Sequence, residues 1–126
     1  MKGYQIAEKL SQFGGEVYKS LAGIVAIDQI PKVISEHSFI VSNLSTSEDT
    51  LGSHWIVLSN QGEPNKIEVF DPLGLYKKNK SLFNKYLPFK AISINEYKVQ
   101  SASSSSCSKF CIYYICNRTY NRKSIW

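Results

Sequence analysis

Cys107 stands where a polar run, Ser103-Ser104-Ser105-Ser106, meets an apolar segment, Phe110-Cys111-Ile112-Tyr113-Tyr114-Ile115-Cys116. That order predicts a loop running into a helix, with Cys107 at the join. The first backbone N–H groups of a helix lack intrahelical partners, and the helix dipole is positive there. A thiol at that point has its thiolate stabilised, and the thiolate is the form that attacks. The position also suits a small buried hydrophobe, the usual role of a free cysteine. Taken alone, the stretch offers a nucleophile without requiring one.

A thiolate needs a base, and the base needs an orienting group. His54 opens His54-Trp55-Ile56-Val57-Leu58, whose β-branched and aromatic content predicts a strand. Lys66-Ile67-Glu68-Val69-Phe70 alternates as a second strand. The segment between them, Asn60-Gln61-Gly62-Glu63-Pro64-Asn65, is dense in turn formers, so a hairpin is expected. Asp71 follows directly, in the turn sequence Asp71-Pro72-Leu73-Gly74. Antiparallel partners run in opposite directions, so the start of one strand lies beside the end of the next. His54 and Asp71 are therefore expected to be neighbours, with the aspartate fixing the imidazole tautomer and the imidazole taking a thiol proton. Gln100 precedes the serine loop, and its side-chain N–H donors, with the backbone N–H of Cys107, would suit an oxyanion. Each residue also has a plain alternative: a satisfied strand histidine, a turn former and a surface glutamine.

The elements that must position these groups follow from pattern. Residues 3–13 read as a helix with Ile6, Leu10 and Phe13 on one side, stopped by Gly14-Gly15. Residues 16–37 lack a clean period and are broken by Pro31, so they read as a loop with short helical turns. His37 falls near the end of that segment and reads as a surface or capping histidine. Phe39-Ile40-Val41 reads as a strand, and residues 42–53 as a polar connection. Residues 79–86 read as a helix with Leu82, Phe83 and Tyr86 on one face. Ala91-Ile92-Ser93-Ile94 alternates as a strand that Tyr97-Lys98-Val99-Gln100 continues. The last helix, over residues 107–118, is apolar nearly all round and is expected to be central and buried. This order predicts an α+β fold with a mainly antiparallel sheet packed by helices, in a single domain over residues 1–126.

Composition narrows the classes. A hydrophobic share of 43% with 20% charged residues is ordinary for a globular protein. Three cysteines cannot all pair, and their clustering near one another is unlike a disulfide framework, so a reducing intracellular compartment is expected. No stretch has the layout of a signal peptide or the length of an apolar membrane span. The net charge of +5 permits attraction to nucleic acid. Basic residues gather at Lys77, Lys78, Lys80, Lys85 and Lys90, and again at Arg118, Arg122 and Lys123. The simpler reading of both groups is a solvated face.

Gly52-Ser53-His54-Trp55, Phe70-Asp71-Pro72-Leu73-Gly74, and Val99-Gln100 followed by Cys107 and Phe110-Cys111 together resemble the adenovirus endopeptidase family. That family belongs to a wider group of cysteine proteases that also contains the SUMO proteases. Weaker echoes lie in Asp28 to Pro31 and Phe39 to Asn43. The resemblance implies a papain-like core in permuted order, with the nucleophile cysteine at the start of a central helix. It implies Cys107 as nucleophile, His54 as general base, Asp71 as its orienter and Gln100 as oxyanion donor. Trp55 would wall the substrate cleft, a role that stands beside its reading as a buried strand aromatic. The implied activity is cleavage of proteins at glycine-containing sites during virion maturation, in the virion or host nucleus; a monomer is expected. DNA is the implied activator, and no cofactor is needed for the chemistry.

Some positions depart from the family. Ser108 follows Cys107 where the family usually has glycine, and Ser101-Ala102-Ser103-Ser104-Ser105-Ser106 stands where an asparagine is usual. The cysteine that tethers an activating peptide has no counterpart, so that mode of activation is not carried over. The chain also stops soon after the nucleophile helix. Three rivals remain open: an inactive protease fold that binds a polypeptide or nucleic acid, a SUMO or ubiquitin-like-modifier protease, and zinc held by the cysteines with His37 or His54. The last lacks a Cys-x-x-Cys pair. A serine nucleophile would lack a Gly-x-Ser-x-Gly elbow.

Overall fold

Strands alternating apolar residues onto two faces set the architecture. The structure, a computed structural model, describes residues 3–43, 54–63, 66–74, 80–89, 92–95 and 107–121, and of Leu82, Cys107 and Asn121 the backbone alone. Strands β1 (Leu21–Ala26), β2 (Phe39–Asn43), β3 (Trp55–Ser59), β4 (Ile67–Phe70) and β5 (Ile92–Ile94) form one five-stranded sheet in the order β1-β2-β3-β4-β5. β3 pairs antiparallel with β4, as the hairpin signals predict, and also antiparallel with β2. β1 pairs parallel with β2, and β4 parallel with β5. The sheet is therefore mixed rather than mainly antiparallel. Both outer pairings follow long connections, and a crossover of that length allows a strand to return in the same direction.

One sheet face carries Phe39, Val41, Trp55, Val57 and Phe70, covered by α1 (Gly3–Ser11), α2 (Gly15–Ser20) and α4 (Cys107–Asn121) through Ile6, Leu10, Val17, Ile112, Tyr114 and Ile115. The other carries Ile40, Ile56, Leu58, Ile67 and Val69, covered by Phe83 of α3 (Lys80–Tyr86), by Leu87 just beyond it and by Ile34. Because both faces are covered, every residue of β2 and β3 is buried. Each large apolar side chain withdrawn from water there contributes about 1.5–3 kcal/mol before chain entropy is counted.

Four expectations change. Residues 16–37 contain α2, β1 and a short 3-10 turn at Ile27–Gln29 rather than a loop with helical turns. β1 is an edge strand with mostly half-buried residues and a register shift between Leu21 and Gly23, so it has no clean alternation to read. Phe13 lies past the end of α1 and is 45% exposed. Ser42 and Asn43 extend β2 instead of beginning the polar connection, whose remainder over 44–53 lies outside the described residues. α4 is buried on one face only: Cys111, Ile112, Tyr114, Ile115 and Arg118 turn inward while Tyr113 and Tyr120 are exposed. Tyrosine counts as apolar in a pattern, yet its hydroxyl suits a wet surface. The expected continuation of β5 over 97–100 lies outside the described residues. Among the described residues, no helix is long and apolar enough to cross a membrane.

Candidate functional site

The β3–β4 register pairs Ser59 with Glu68, Leu58 with Val69 and Val57 with Phe70. Carried to the open end of the hairpin, it sets Asp71 opposite Ile56, so His54 and Asp71 fall on one face as diagonal neighbours. There His54 Nε2 and Asp71 Oδ1 are 2.6 Å apart, with the two side chains 7% and 0% exposed. That separation lies in the short range of charge-assisted hydrogen bonds. A carboxylate only accepts, so Nε2 carries the donated proton and Nδ1 is the basic nitrogen of the neutral ring. The turn fixes the acid. The Leu73 N–H donates to Asp71 Oδ1 at 3.0 Å, and the Gly74 N–H donates to the Asp71 carbonyl at 3.0 Å. Gly74 closes this turn at φ 61°, a left-handed conformation that glycine adopts without penalty.

A residue that sequence reading did not single out completes this arrangement. The parallel β4–β5 ladder ends with Val69 opposite Ile94, and Asn95 is the next residue. Its Oδ1 accepts from the Asp71 N–H at 2.7 Å, and its Nδ2 donates to the Asp71 carbonyl at 2.7 Å. Asn95 is buried, 5% exposed. An asparagine after Ile92-Ser93-Ile94 reads as a turn former. The sole signal was its place at the end of a strand, and that gains meaning only once β5 is known to lie beside β4.

Helix α4 can be placed level by level against the hairpin. Cys111 Sγ donates to the Trp55 carbonyl at 3.4 Å. The Tyr114 ring stacks on Phe70 with centroids 4.6 Å apart. Arg118 Nη2 donates to Glu68 Oε2 at 2.9 Å. Trp55, the Val57–Phe70 pair and the Ser59–Glu68 pair follow one another along the hairpin. α4 thus runs in the direction of β3, and its first turn lies toward the end that holds His54 and Asp71. Cys107 is the first residue of α4, one turn before Cys111, at the end where backbone N–H groups and the positive dipole face outward. Its side chain and all of Gln100 lie outside the described residues. Ser108, next in the helix, is buried. Trp55 is 8% exposed and sits in the core cluster with Ile6, Leu10 and Cys111.

The other candidates fall elsewhere. Cys111 is a buried thiol bonded to the Trp55 carbonyl rather than turned to a cleft. Cys116 is partly buried, and burial pushes its thiol up, which disfavours thiolate. His37 is about half exposed beside Glu36 at 3.3 Å. Its backbone N–H bonds the Asn60 carbonyl at 2.7 Å, so it sits at the closed end of the hairpin, away from His54. Among the described residues, no three His, Cys, Asp or Glu side chains gather closely enough to hold a metal ion. Arg118 is 3% exposed and ion-paired, so it is no part of a solvated basic face.

No protein-family model and no curated protein matches this chain. Fold and site define the class from the chain itself. It is an α+β protein with a mixed five-stranded sheet, helices on both faces and a buried histidine–aspartate pair at the open end of its central hairpin.

Proposed function

We propose that this protein is a cysteine-type endopeptidase that cleaves polypeptides at glycine-containing sites. The observation that carries the reading is the buried 2.6 Å contact between His54 and Asp71, at the end of the sheet toward which α4 begins. In this reading His54 Nδ1 takes the Cys107 thiol proton, and Asp71 holds the ring and stabilises the imidazolium that forms. The Cys107 thiolate attacks the scissile carbonyl carbon. Gln100 and the Cys107 backbone N–H receive the oxyanion. Collapse breaks the C–N bond, and the imidazolium returns its proton to the leaving amine. Water, deprotonated by His54, then hydrolyses the thioester and regenerates the thiol. Order and roles are those of a permuted papain-like core, working as a monomer, with Trp55 supporting the cleft and DNA acting as an activator through exposed lysines.

The test is cleavage of a Gly-Gly and Gly-x-Gly peptide library by the purified chain, with and without DNA, beside Cys107→Ala. Labelling by a thiol-directed electrophile runs in parallel. Cleavage lost in Cys107→Ala, and fast labelling of Cys107 lost in His54→Ala, support the reading. Slow labelling indifferent to His54, with no cleavage by the folded chain, overturns it in favour of a binding-only protein.

A further inference from the structure

We propose that Asn95 is a positioning residue for the His54–Asp71 pair, its carboxamide extending the β4–β5 ladder by one rung to fix the Asp71 backbone. The ladder's last backbone pair is Val69 with Ile94, and β4 itself ends at Phe70. Beyond that pair, no further backbone rung joins the β4 side to the β5 side among the described residues. The Asn95 carboxamide presents one donor and one acceptor, as a peptide group does, and places both on the Asp71 backbone at 2.7 Å. Both residues are buried, so water is a poor substitute for either bond.

The chemistry of the contact selects asparagine. Aspartate keeps an acceptor for the Asp71 N–H but sets a carboxylate oxygen against the Asp71 carbonyl. Alanine loses both bonds. Asp71 Oδ1 must meet both His54 Nε2 and the Leu73 N–H, so a small shift of the Asp71 backbone stretches the 2.6 Å contact first. Asn95 acts on the imidazole only through Asp71. Its kinetic consequence rests on the peptidase reading above, whereas its effect on His54 does not.

The experiment reads the His54 ring directly. In the ¹⁵N-labelled full chain, a proton held between Nε2 and a buried carboxylate is shielded from exchange with water and resonates far downfield. Asn95→Ala is expected to speed that exchange about tenfold or more, and to lower kcat about 10–100-fold with KM little changed, the usual scale for a group displaced by about 1 Å. Asn95→Asp, nearly isosteric, carries the same expectation where the alanine variant fails to fold. Phe83→Leu, under α3 on the opposite sheet face, lowers stability and is expected to leave the ring proton unchanged. Exchange in both Asn95 variants within about twofold of the parent, well short of the loss expected for a displaced group, overturns the proposal. A ring proton that responds in a chain with no peptidase activity upholds the positioning role and sinks the peptidase reading. Peptidase activity that ignores Asn95 does the reverse.

Discussion

The β3–β4 hairpin carries a side-chain pair near each end, one buried and one partly buried, and the two are built from different chemistry. At the open end, His54 and Asp71 meet at 2.6 Å, with Asn95 bracing the acid from β5. Toward the closed end, Glu68 receives Arg118 at 2.9 Å through one carboxylate oxygen and the Tyr114 hydroxyl through the other. Arginine keeps its proton under any condition the fold survives, whereas histidine exchanges one near neutral pH. The Glu68 cluster can therefore fasten α4 to the sheet but cannot shuttle protons. The His54 pair instead joins the start of β3 to the turn after β4. The two pairs thus lie three residues apart along the chain, at Glu68 within β4 and at Asp71 just past its end, and only the first of them ties α4 to the sheet.

Removing the titratable pair is the sharpest way to break this comparison. On the peptidase reading, Asp71→Asn lowers kcat by about 10⁴-fold, because an amide can stabilise the wrong imidazole tautomer and no imidazolium. His54→Ala is expected to lose at least as much. Steady-state cleavage assays read both effects, and equilibrium unfolding checks that the variants are folded. An Asp71→Asn enzyme of near-parental rate would place His54 and Asp71 among structural pairs, like Arg118 and Glu68.

The anchor predicts the opposite pattern. Glu68→Ala leaves the Arg118 guanidinium buried and without its counter-charge, at a cost of about 3–5 kcal/mol in unfolding free energy. Activity per folded molecule is expected to hold. Replacing both partners with apolar residues of similar size, as in Glu68→Leu with Arg118→Met, recovers most of the loss. Urea unfolding of the single and double variants measures this. A double variant as unstable as Glu68→Ala would show that the pair itself, rather than the stranded charge, carries the stability.

Tyr114 sharpens the same point by pH. Burial, and then the Glu68 charge, push its hydroxyl well above the ordinary tyrosine value, against smaller opposing effects of Ser59 and Arg118. The folded chain therefore keeps this proton where the unfolded chain gives it up. The resulting stability is intact below pH ~10 and is lost as pH rises from there toward the raised native value, by about 1.4 kcal/mol per pH unit. Tyr114→Phe is expected to remove that alkaline slope while costing about 1–3 kcal/mol at neutral pH through the unsatisfied Glu68 oxygen. Unfolding midpoints across the alkaline range test it; an unchanged slope would assign the loss to other groups.

The two clusters also differ in how far pattern alone reached. His54 and Asp71 were expected as neighbours because a hairpin with a strong turn signal fixes its own ends, and the structure has that hairpin. The Glu68 cluster and Asn95 were not, since both depend on which distant elements lie beside β4. Tyr114 and Arg118 sit one turn apart on α4 and share a face, yet nothing local says that the face meets Glu68. Likewise β5 alternates visibly, but its parallel pairing with β4 is a property of the crossover, not of the strand. The half-buried edge strand β1 was missed because alternation fades where one side is only partly covered. Local chemistry thus predicted contacts close in sequence, and tertiary pairing decided the rest.

The smallest expected effect tests whether the open end needs its turn as well as its brace. Gly74 holds φ 61°, and its N–H donates to the Asp71 carbonyl, the same oxygen that accepts from Asn95 Nδ2. Gly74→Ala is expected to cost about 1–2 kcal/mol, the penalty of a side chain in the left-handed region. Gly74→Asn, whose side chain tolerates that region, is expected to cost less. Because Asn95 grips Asp71 from the other side, the strain is expected to fall on stability while the His54 ring proton stays protected. Unfolding and ring-proton exchange on the same samples separate the two. If Gly74→Ala exposes the ring proton as strongly as Asn95→Ala, the turn and β5 share the work of holding Asp71, and the bracing cannot be assigned to the carboxamide alone.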